Sequence, residues 1–327
     1  MPLEIWPASI LIFQSRHSPA TFPVFSPHSP YARSISDLSS VVLWAMLGIF
    51  VIVSALVTYC IHKFKATPDQ PTPHPGYGNT RLEVGYTISF FLILATIMVF
   101  AIRSMSASDP QSSQPDTLVV VAHQWWWEVR YPGTDIVTAN EIHIPTGVPQ
   151  HLRVLSADVI HDFWVPELGR KMDIIPGVEN RVWFSADTPG TYFGTCAEYC
   201  GAEHAWMRIR VVAQTPAEFS QWQAEQEVVP AVPTSGEAAL GAQYFQQLSC
   251  ANCHTIRGTP ATASIAPDLT HLASRETLAA GRMMNTAENL SNWLNDPAAI
   301  KPGCKMPNLH LTAQQRDALV DYLETLR

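Results

Sequence analysis

The sequence predicts a multidomain membrane protein: a two-helix transmembrane hairpin, an all-β sandwich and a small all-α domain. Three observations carry that expectation. Two stretches in the first third of the chain are long, apolar and nearly free of charge. The middle is written in short β-rich runs punctuated by Pro and Gly, and the last part in short helical ones. A chain of 327 residues has room for two modest globular domains and an anchor.

In chain order, residues 1–36 form a Ser- and Pro-rich N-terminal segment. Its apolar run Ala8–Phe13 is short for a signal-peptide core and lacks an evident cleavage site. The hairpin is expected over 37–104. Leu38–Ile61 carries no charge and exceeds the ~20 residues a helix needs to cross a bilayer. His62, Lys63 and Lys65 close it, and a Pro/Gly-rich connector, Thr67–Asn79, follows. Val84–Ile102 is the second span, entered through Arg81 and Glu83 and left through Arg103. The basic residues around the connector put it on the cytoplasmic side, so everything after Arg103 faces outward.

The β domain is expected over 105–226, with strands at Thr117–Ala122, Glu141–Ile144, His151–Ser156, Arg181–Ser185 and Met207–Val212. A short helix, Ala217–Gln226, closes it. A Pro-containing linker, 227–236, leads to the α domain, 237–327, with helices at Ala238–Leu248, Ala287–Leu294 and Ala313–Leu326. The apolar fraction of 47% and a mean hydropathy of +0.04 suit a few spans carrying a soluble head. A net charge of −8 favours basic partners and gives no sign of nucleic-acid binding.

The chemistry is concentrated in two motifs. The first is Cys196-Ala-Glu-Tyr-Cys200-Gly-Ala-Glu-His204-Ala-Trp-Met207. Soft thiolates stabilise cuprous copper and imidazole serves both oxidation states. One Cys suffices for a single copper; two on a tight loop can each bridge a pair. His204 then ends one copper and Met207 binds weakly at the other. The second imidazole must come from elsewhere, and His161 in Val-Ile-His-Asp-Phe-Trp is the candidate. A Cys-x3-Cys pair alone equally suits a disulfide or redox dithiol, and His161 alone a structural histidine. The complete Cys, Glu, Cys, His and Met spacing favours copper.

The second motif is Cys250-Ala-Asn-Cys253-His254, the pattern of covalent haem c attachment, in which two thioethers hold the ring and the imidazole reaches iron. Met306, on the Pro-restricted loop Lys301-Pro-Gly-Cys-Lys-Met-Pro, is the expected sixth ligand, and His/Met ligation suits an electron carrier. Met283 and Met284 are rivals, placed in a stretch read as helical. The Pro267 carbonyl is expected to orient His254. Cys304 reads as a shielded thiol without a partner, and Cys60 stands alone. The run Trp125-Trp126-Trp127 cannot point all its side chains inward from a strand. At least one is therefore expected to be exposed, as at an interface.

Residues 30–225 resemble subunit II of the haem–copper oxidases. The resemblance rests on Gln124-Trp-Trp-Trp127, His161-Asp-Phe-Trp, Lys171-Met-Asp-Ile-Ile-Pro-Gly177 and Gly190-Thr-Tyr-Phe-Gly194 leading into the Cys loop. It implies a cupredoxin-like sandwich holding a dinuclear CuA centre on His161, Cys196, Cys200, His204, Met207 and the carbonyl of Glu198. It further implies that the Glu198 side chain reaches a magnesium ion at the subunit I interface. Trp125 would receive electrons, and Glu83 would stand at the mouth of a proton pathway. Two departures fall near Glu83: Tyr86 replaces the family's Trp, and no Pro follows around Ser89–Phe91. Ala266–His271, Asn292-Trp293 and Lys301–Pro307 resemble the cytochrome c domain fused to subunit II in some bacterial oxidases.

The resemblance therefore implies the electron-entry subunit of a terminal cytochrome c oxidase in a bacterial plasma membrane, with its CuA and haem domains on the periplasmic face. Its partners would be subunits I and III and an external donor such as a cytochrome c. Oxygen would be reduced on another subunit, coupled to proton translocation. Tethering the cytochrome would raise its effective concentration at the copper site. The rivals are the CuA subunit of a nitric oxide reductase and a membrane-anchored copper chaperone. A chaperone needs neither Met207 nor a haem.

Overall fold

The computed structural model describes residues 23–65, 76–108 and 114–327. The Ala8–Phe13 run and most of the Thr67–Asn79 connector lie outside the described residues. The chain divides into a helical unit, from residue 30 to 109, and a second unit carrying the other two domains.

The helical unit pairs α1 (Pro30–Lys63) with α2 (Thr80–Ser108). At 1.5 Å rise per residue, 34 residues extend about 50 Å, well beyond a ~30 Å hydrocarbon core. Leu43, Trp44, Phe50, Phe90 and Phe91 point outward and exposed, as lipid-facing side chains do. Both helices are long and apolar enough to cross a membrane. α1 begins eight residues before the apolar run. Proline is well placed in a first helical turn, where its missing N–H costs nothing, and hydropathy marks only the part of a helix that lipid covers. Asn79 starts α2 by accepting from the N–H groups of Arg81 (3.1 Å) and Leu82 (3.3 Å). Glu83 sits in the first turn of α2, where the helix dipole favours an acid.

The second unit begins with a sandwich of two five-stranded sheets. Its strands are β1 (Leu118–His123), β2 (Trp126–Arg130), β3 (Val137–Ala139), β4 (Glu141–Pro145), β5 (Gln150–Ser156), β6 (His161–Trp164), β7 (Met172–Ile174), β8 (Asn180–Phe184), β9 (Gly190–Cys196) and β10 (Arg208–Gln214). One sheet runs β3-β2-β1-β5-β8 and the other β4-β10-β9-β6-β7. Inward-facing Val120, Trp127, Leu152, Phe163, Val182 and Ile209 fill the space between them. The five runs expected from sequence correspond to β1, β4, β5, β8 and β10. The others are short or interrupted by His, Asp and Trp, so their alternation is too brief to read.

Gly194 sets the geometry that matters most. A Cβ there would lie 2.5 Å from the Trp164 carbonyl, so only glycine lets β9 lie this close to β6. The resulting register pairs Phe163 with Cys196 and carries the β9 end to the β6 start. α3 (Pro216–Glu227) follows, opened by a Thr215/Glu218 capping box. Its Trp222 stacks on His143 with ring centroids 4.2 Å apart.

The all-α domain comprises α4 (Gly236–Gln247), the short pair β11 (Thr277–Leu278) and β12 (Met283–Met284), α5 (Ala287–Asn295), α6 (Pro297–Ile300) and α7 (Ala313–Glu324). α4 crosses α7 at Gly241, where a Cβ would meet the Ala318 carbonyl at 1.9 Å. Phe245 and Tyr322 pack edge-on beside it. Met283 and Met284 are in a strand paired with Thr277 and Leu278, not in the expected helix. Cross-strand pairing overrides the helical propensity of methionine there.

Candidate functional site

Cys196 ends β9, and the loop 197–207 returns to β10, so the β9–β10 pair holds both ends of the copper motif. Cys196 Sγ and Cys200 Sγ lie 3.8 Å apart, and both cysteines are buried. His161, at the start of β6, brings Nδ1 to 3.9 Å from Cys196 Sγ. Ligand atoms of His161, Cys196 and Cys200 all lie within 4.8 Å of one another. His204 Nδ1 is 3.6 Å and Met207 Sδ 3.8 Å from Cys200 Sγ, while the Glu198 carbonyl is 3.1 Å from Cys196 Sγ. The structure thus brings all six expected donors together, with His161, Cys196, Cys200 and Met207 buried, and this soft N/S set fits copper. The Glu198 side chain points to solvent.

The thiols behave as a pair. The contact with Cys200, helped by His161, holds the Cys196 thiol well below the usual thiol range. Cys200 moves up in response, with the Cys196 charge beside it. Burial works against the charged form of His161, but hydrogen bonds to Cys196 and Asp158 outweigh it and raise its pKa. Asp158 Oδ1 sits 2.8 Å from His161 Nε2 and so fixes the ring. Its other oxygen accepts from the Gln124 N–H at 2.7 Å and lies 3.6 Å from Lys305 Nζ.

The haem motif lines a cavity of about 500 Å³ with mainly apolar walls, shared by Cys250, Cys253, His254, Pro267 and Met306. Its lining and size fit a covalently held macrocycle. His254 Nδ1 is 2.7 Å from the Pro267 carbonyl, which leaves Nε2 as the remaining ring ligand. Burial lowers the His254 pKa and the Pro267 contact opposes it in part, which favours the neutral ring that a metal ligand requires. Met283 and Met284 do not line the cavity, whereas Met306 does. Cys304 is half-buried, with Sγ 3.7 Å from the Met306 carbonyl.

Copper-domain residues complete this cavity: Gln124, Trp125, Trp126 and Asp158 form part of its wall. Trp127 is fully buried, while Trp125 and Trp126 are half-buried and Trp126 stacks on His123. The exposed tryptophan expected from strand alternation is absent because the all-α domain covers this face. Trp125 Nε1 and Gln124 Nε2 both donate to the Cys200 carbonyl, at 3.0 and 2.7 Å. Three residues that matter escaped the sequence: Gln124's role on the loop, Asp158 behind His161, and Lys301. Only Asp158 carried a signal, lying three residues before the histidine it orients.

Comparison with known proteins agrees with this architecture. Residues 18–104 match the family described as cytochrome c oxidase subunit II, transmembrane domain, and 134–214 match its periplasmic domain. Residues 238–327 match cytochrome c. Cytochrome c oxidase subunit 2 of Alkalihalophilus pseudofirmus is 33% identical over 311 residues, covering 92% of this chain and 90% of the relative. Quinol oxidase subunit 2 of Bacillus cereus is 30% identical, covering 69% of this chain and 80% of the relative. The periplasmic domain of subunit II of the Bradyrhizobium japonicum cytochrome oxidase is 31% identical, with a TM-score of 0.34, covering 36% of this chain and 95% of that structure. An identity of one third, sustained over nine-tenths of a curated subunit, places the chain in the cytochrome c oxidase subunit II family of oxidoreductase subunits, with a cytochrome c domain following the sandwich.

Proposed function

We propose that this chain is the electron-entry subunit of a terminal cytochrome c oxidase, handing single electrons from an external donor through haem c to CuA and on to haem in subunit I. The haem held by Cys250, Cys253, His254 and Met306 would supply reversible one-electron chemistry. The copper pair held by His161, Cys196, Cys200, His204, Met207 and the Glu198 carbonyl would do the same. Neither motif supplies an acid/base pair for bond chemistry, so oxygen reduction belongs to another subunit. Subunits I and III are the proposed partners, with the outer domains on the periplasmic face.

One observation carries the reading. Trp125 forms part of the haem cavity wall and donates its indole N–H to the Cys200 carbonyl. A single residue thus reaches from the cavity wall to the ligand loop of the copper motif, and Trp125 is the proposed conduit. The complete copper donor set argues against quinol oxidation, which would leave those ligands without purpose. It also outweighs the chaperone alternative, which has no use for the haem cavity. A CuA subunit of a nitric oxide reductase remains the rival among enzymes, and substrate uptake separates the two.

The test uses the purified complex. The expected result is a reduced c-type haem band, an EPR hyperfine pattern of one electron shared by two copper nuclei, and uptake of oxygen in preference to nitric oxide. Hyperfine structure from a single copper would remove the central assignment, and preferential nitric oxide uptake would transfer the chain to the rival. We further assign Glu198 to a magnesium ion at the subunit I interface. Glu83, exposed in the first turn of α2, is assigned to the mouth of a proton pathway. Glu83→Gln is expected to slow proton uptake and turnover together; unchanged proton uptake in the assembled enzyme would sink that role.

A further inference from the structure

The contact between the two outer domains is built from charged groups that each domain buries in the other. Lys301, just past α6, is 4% exposed. Its ammonium donates to the carbonyls of Trp125 (2.8 Å), Trp206 (3.1 Å) and Ala279 (3.4 Å). An ammonium has three hydrogens, and here three carbonyls take them. Two of those carbonyls belong to the copper domain: Trp125 carries the indole bonded to Cys200, and Trp206 precedes Met207.

Glu141 makes the reverse insertion. It belongs to β4 of the copper domain, is 2% exposed, and accepts from the Thr277 N–H (2.9 Å), Thr277 Oγ1 (2.8 Å) and the Glu276 N–H (3.0 Å) of the haem domain. Around these two plugs, Arg210 pairs with Glu276 and the Arg282 guanidinium lies 3.8 Å over the Trp206 ring. Lys305, next to Met306, reaches Asp158 at 3.6 Å. Burying an ion is costly unless its hydrogen bonds are satisfied. In this arrangement the Lys301 ammonium and the Glu141 carboxyl group each find their partners, most of them in the opposite domain.

We propose that Lys301 and Glu141 clamp the haem-bearing domain onto the copper domain in a single pose, making Lys301 a positioning residue for electron transfer between the two centres. The haem domain then works as a fixed extension of the copper domain. The connection at 228–236 carries no swinging motion, and an external donor has access to the haem domain's outer surface and not to Trp125. This rests on the haem-to-copper path proposed above.

The test uses the full-length, haem- and copper-loaded chain. One arm reads the clamp without activity: hydrogen exchange at the Glu276 and Thr277 amides, and protease cleavage within 228–236. The other arm is the flash-photolysis rate of transfer from reduced haem to copper at rising solvent viscosity. Wild type is expected to protect both amides, resist cleavage and transfer at a viscosity-independent rate. Lys301→Met is expected to lose protection and slow transfer about tenfold, as the competent docked population falls. Its haem band and copper EPR should stay as in wild type, and Lys301→Arg should restore transfer in part. Glu141→Gln, at the opposite plug, should weaken the same protection, and the wild-type viscosity series needs no variant at all. A wild-type rate that falls with viscosity, or a Lys301→Met chain with wild-type protection and rate, overturns the clamp. A wild-type chain whose reduced haem never reduces copper overturns the electron path instead, and the exchange arm still decides the clamp: protected amides support it and unprotected ones overturn it.

Discussion

Cys200→Ser is expected to abolish the two-copper EPR signal and lower oxygen uptake by more than about 100-fold, leaving the c-type haem band intact. Substituting even an outer partner of a metal ligand costs about 10–100-fold in affinity or activity. Cys200 stands closer to the chemistry than that. Its sulfur lies 3.8 Å from Cys196 Sγ, 3.6 Å from His204 Nδ1 and 3.8 Å from Met207 Sδ, so it is the atom on which the donor set converges. A serine oxygen is hard where cuprous copper prefers soft sulfur. Cys196 and His161 would remain and hold at most one copper. The loop should survive, because the Cys200 carbonyl keeps its bonds to Gln124 and Trp125. The measurement is EPR with copper quantification on the purified complex, beside oxygen uptake. Two coppers per chain and a shared-electron signal in the variant would show that Cys200 bridges nothing.

Much of this site was legible because its information is local. The copper loop and the haem motif are short segments in which ligand spacing is nearly the geometry, so residues 196–207 and 250–254 could be read before any fold was known. His161 was harder. It lies on another strand, and only the β6–β9 register, made possible by Gly194, brings it to Cys196. The place of Met306 on the cavity wall and of Pro267 against His254 was readable because proline restricts the loops that present them.

What stayed hidden depends on the contact between domains. Lys301 reads as an ordinary solvated lysine in a Pro-Gly loop, since nothing in Lys-Pro-Gly-Cys says that a second domain will supply carbonyls around it. Burial lowers its pKa to about 8, against the pull of Glu203, which marks how far this ammonium sits from water. The same docking explains the covered tryptophans: strand alternation turns one of them out of the sandwich, and the haem domain then closes over it. The tether suggested that linking raises effective concentration. The interface goes further, because a specified pose needs no encounter.

Met306→Ala is expected to lower the haem potential by about 120 mV or more, on a scale where ~59 mV is tenfold for one electron. The resulting shift of about a hundredfold in the haem–copper equilibrium would favour the copper side. Thioether opposite imidazole raises the potential of a haem iron, and Met306 is the methionine on the cavity wall. His254 would remain in place, held at Nδ1 by the Pro267 carbonyl at 2.7 Å, so the haem should stay bound and ligated on one side. The loop should stay in place too. Cys304 N–H keeps its bond to the Lys301 carbonyl at 3.0 Å, and Lys301 keeps its grip on Trp125. Met283→Ala is the control: Met283 packs against the core of the α domain but does not reach the cavity, so its loss should cost stability and leave the potential alone. Spectroelectrochemical titration of the haem band in both variants, with copper EPR as the internal standard, separates the possibilities. If Met283→Ala moves the potential and Met306→Ala does not, the ligand has been assigned to the wrong loop. If neither does, the sixth position is not filled by methionine, and the carrier role loses the ligand chemistry that tunes it.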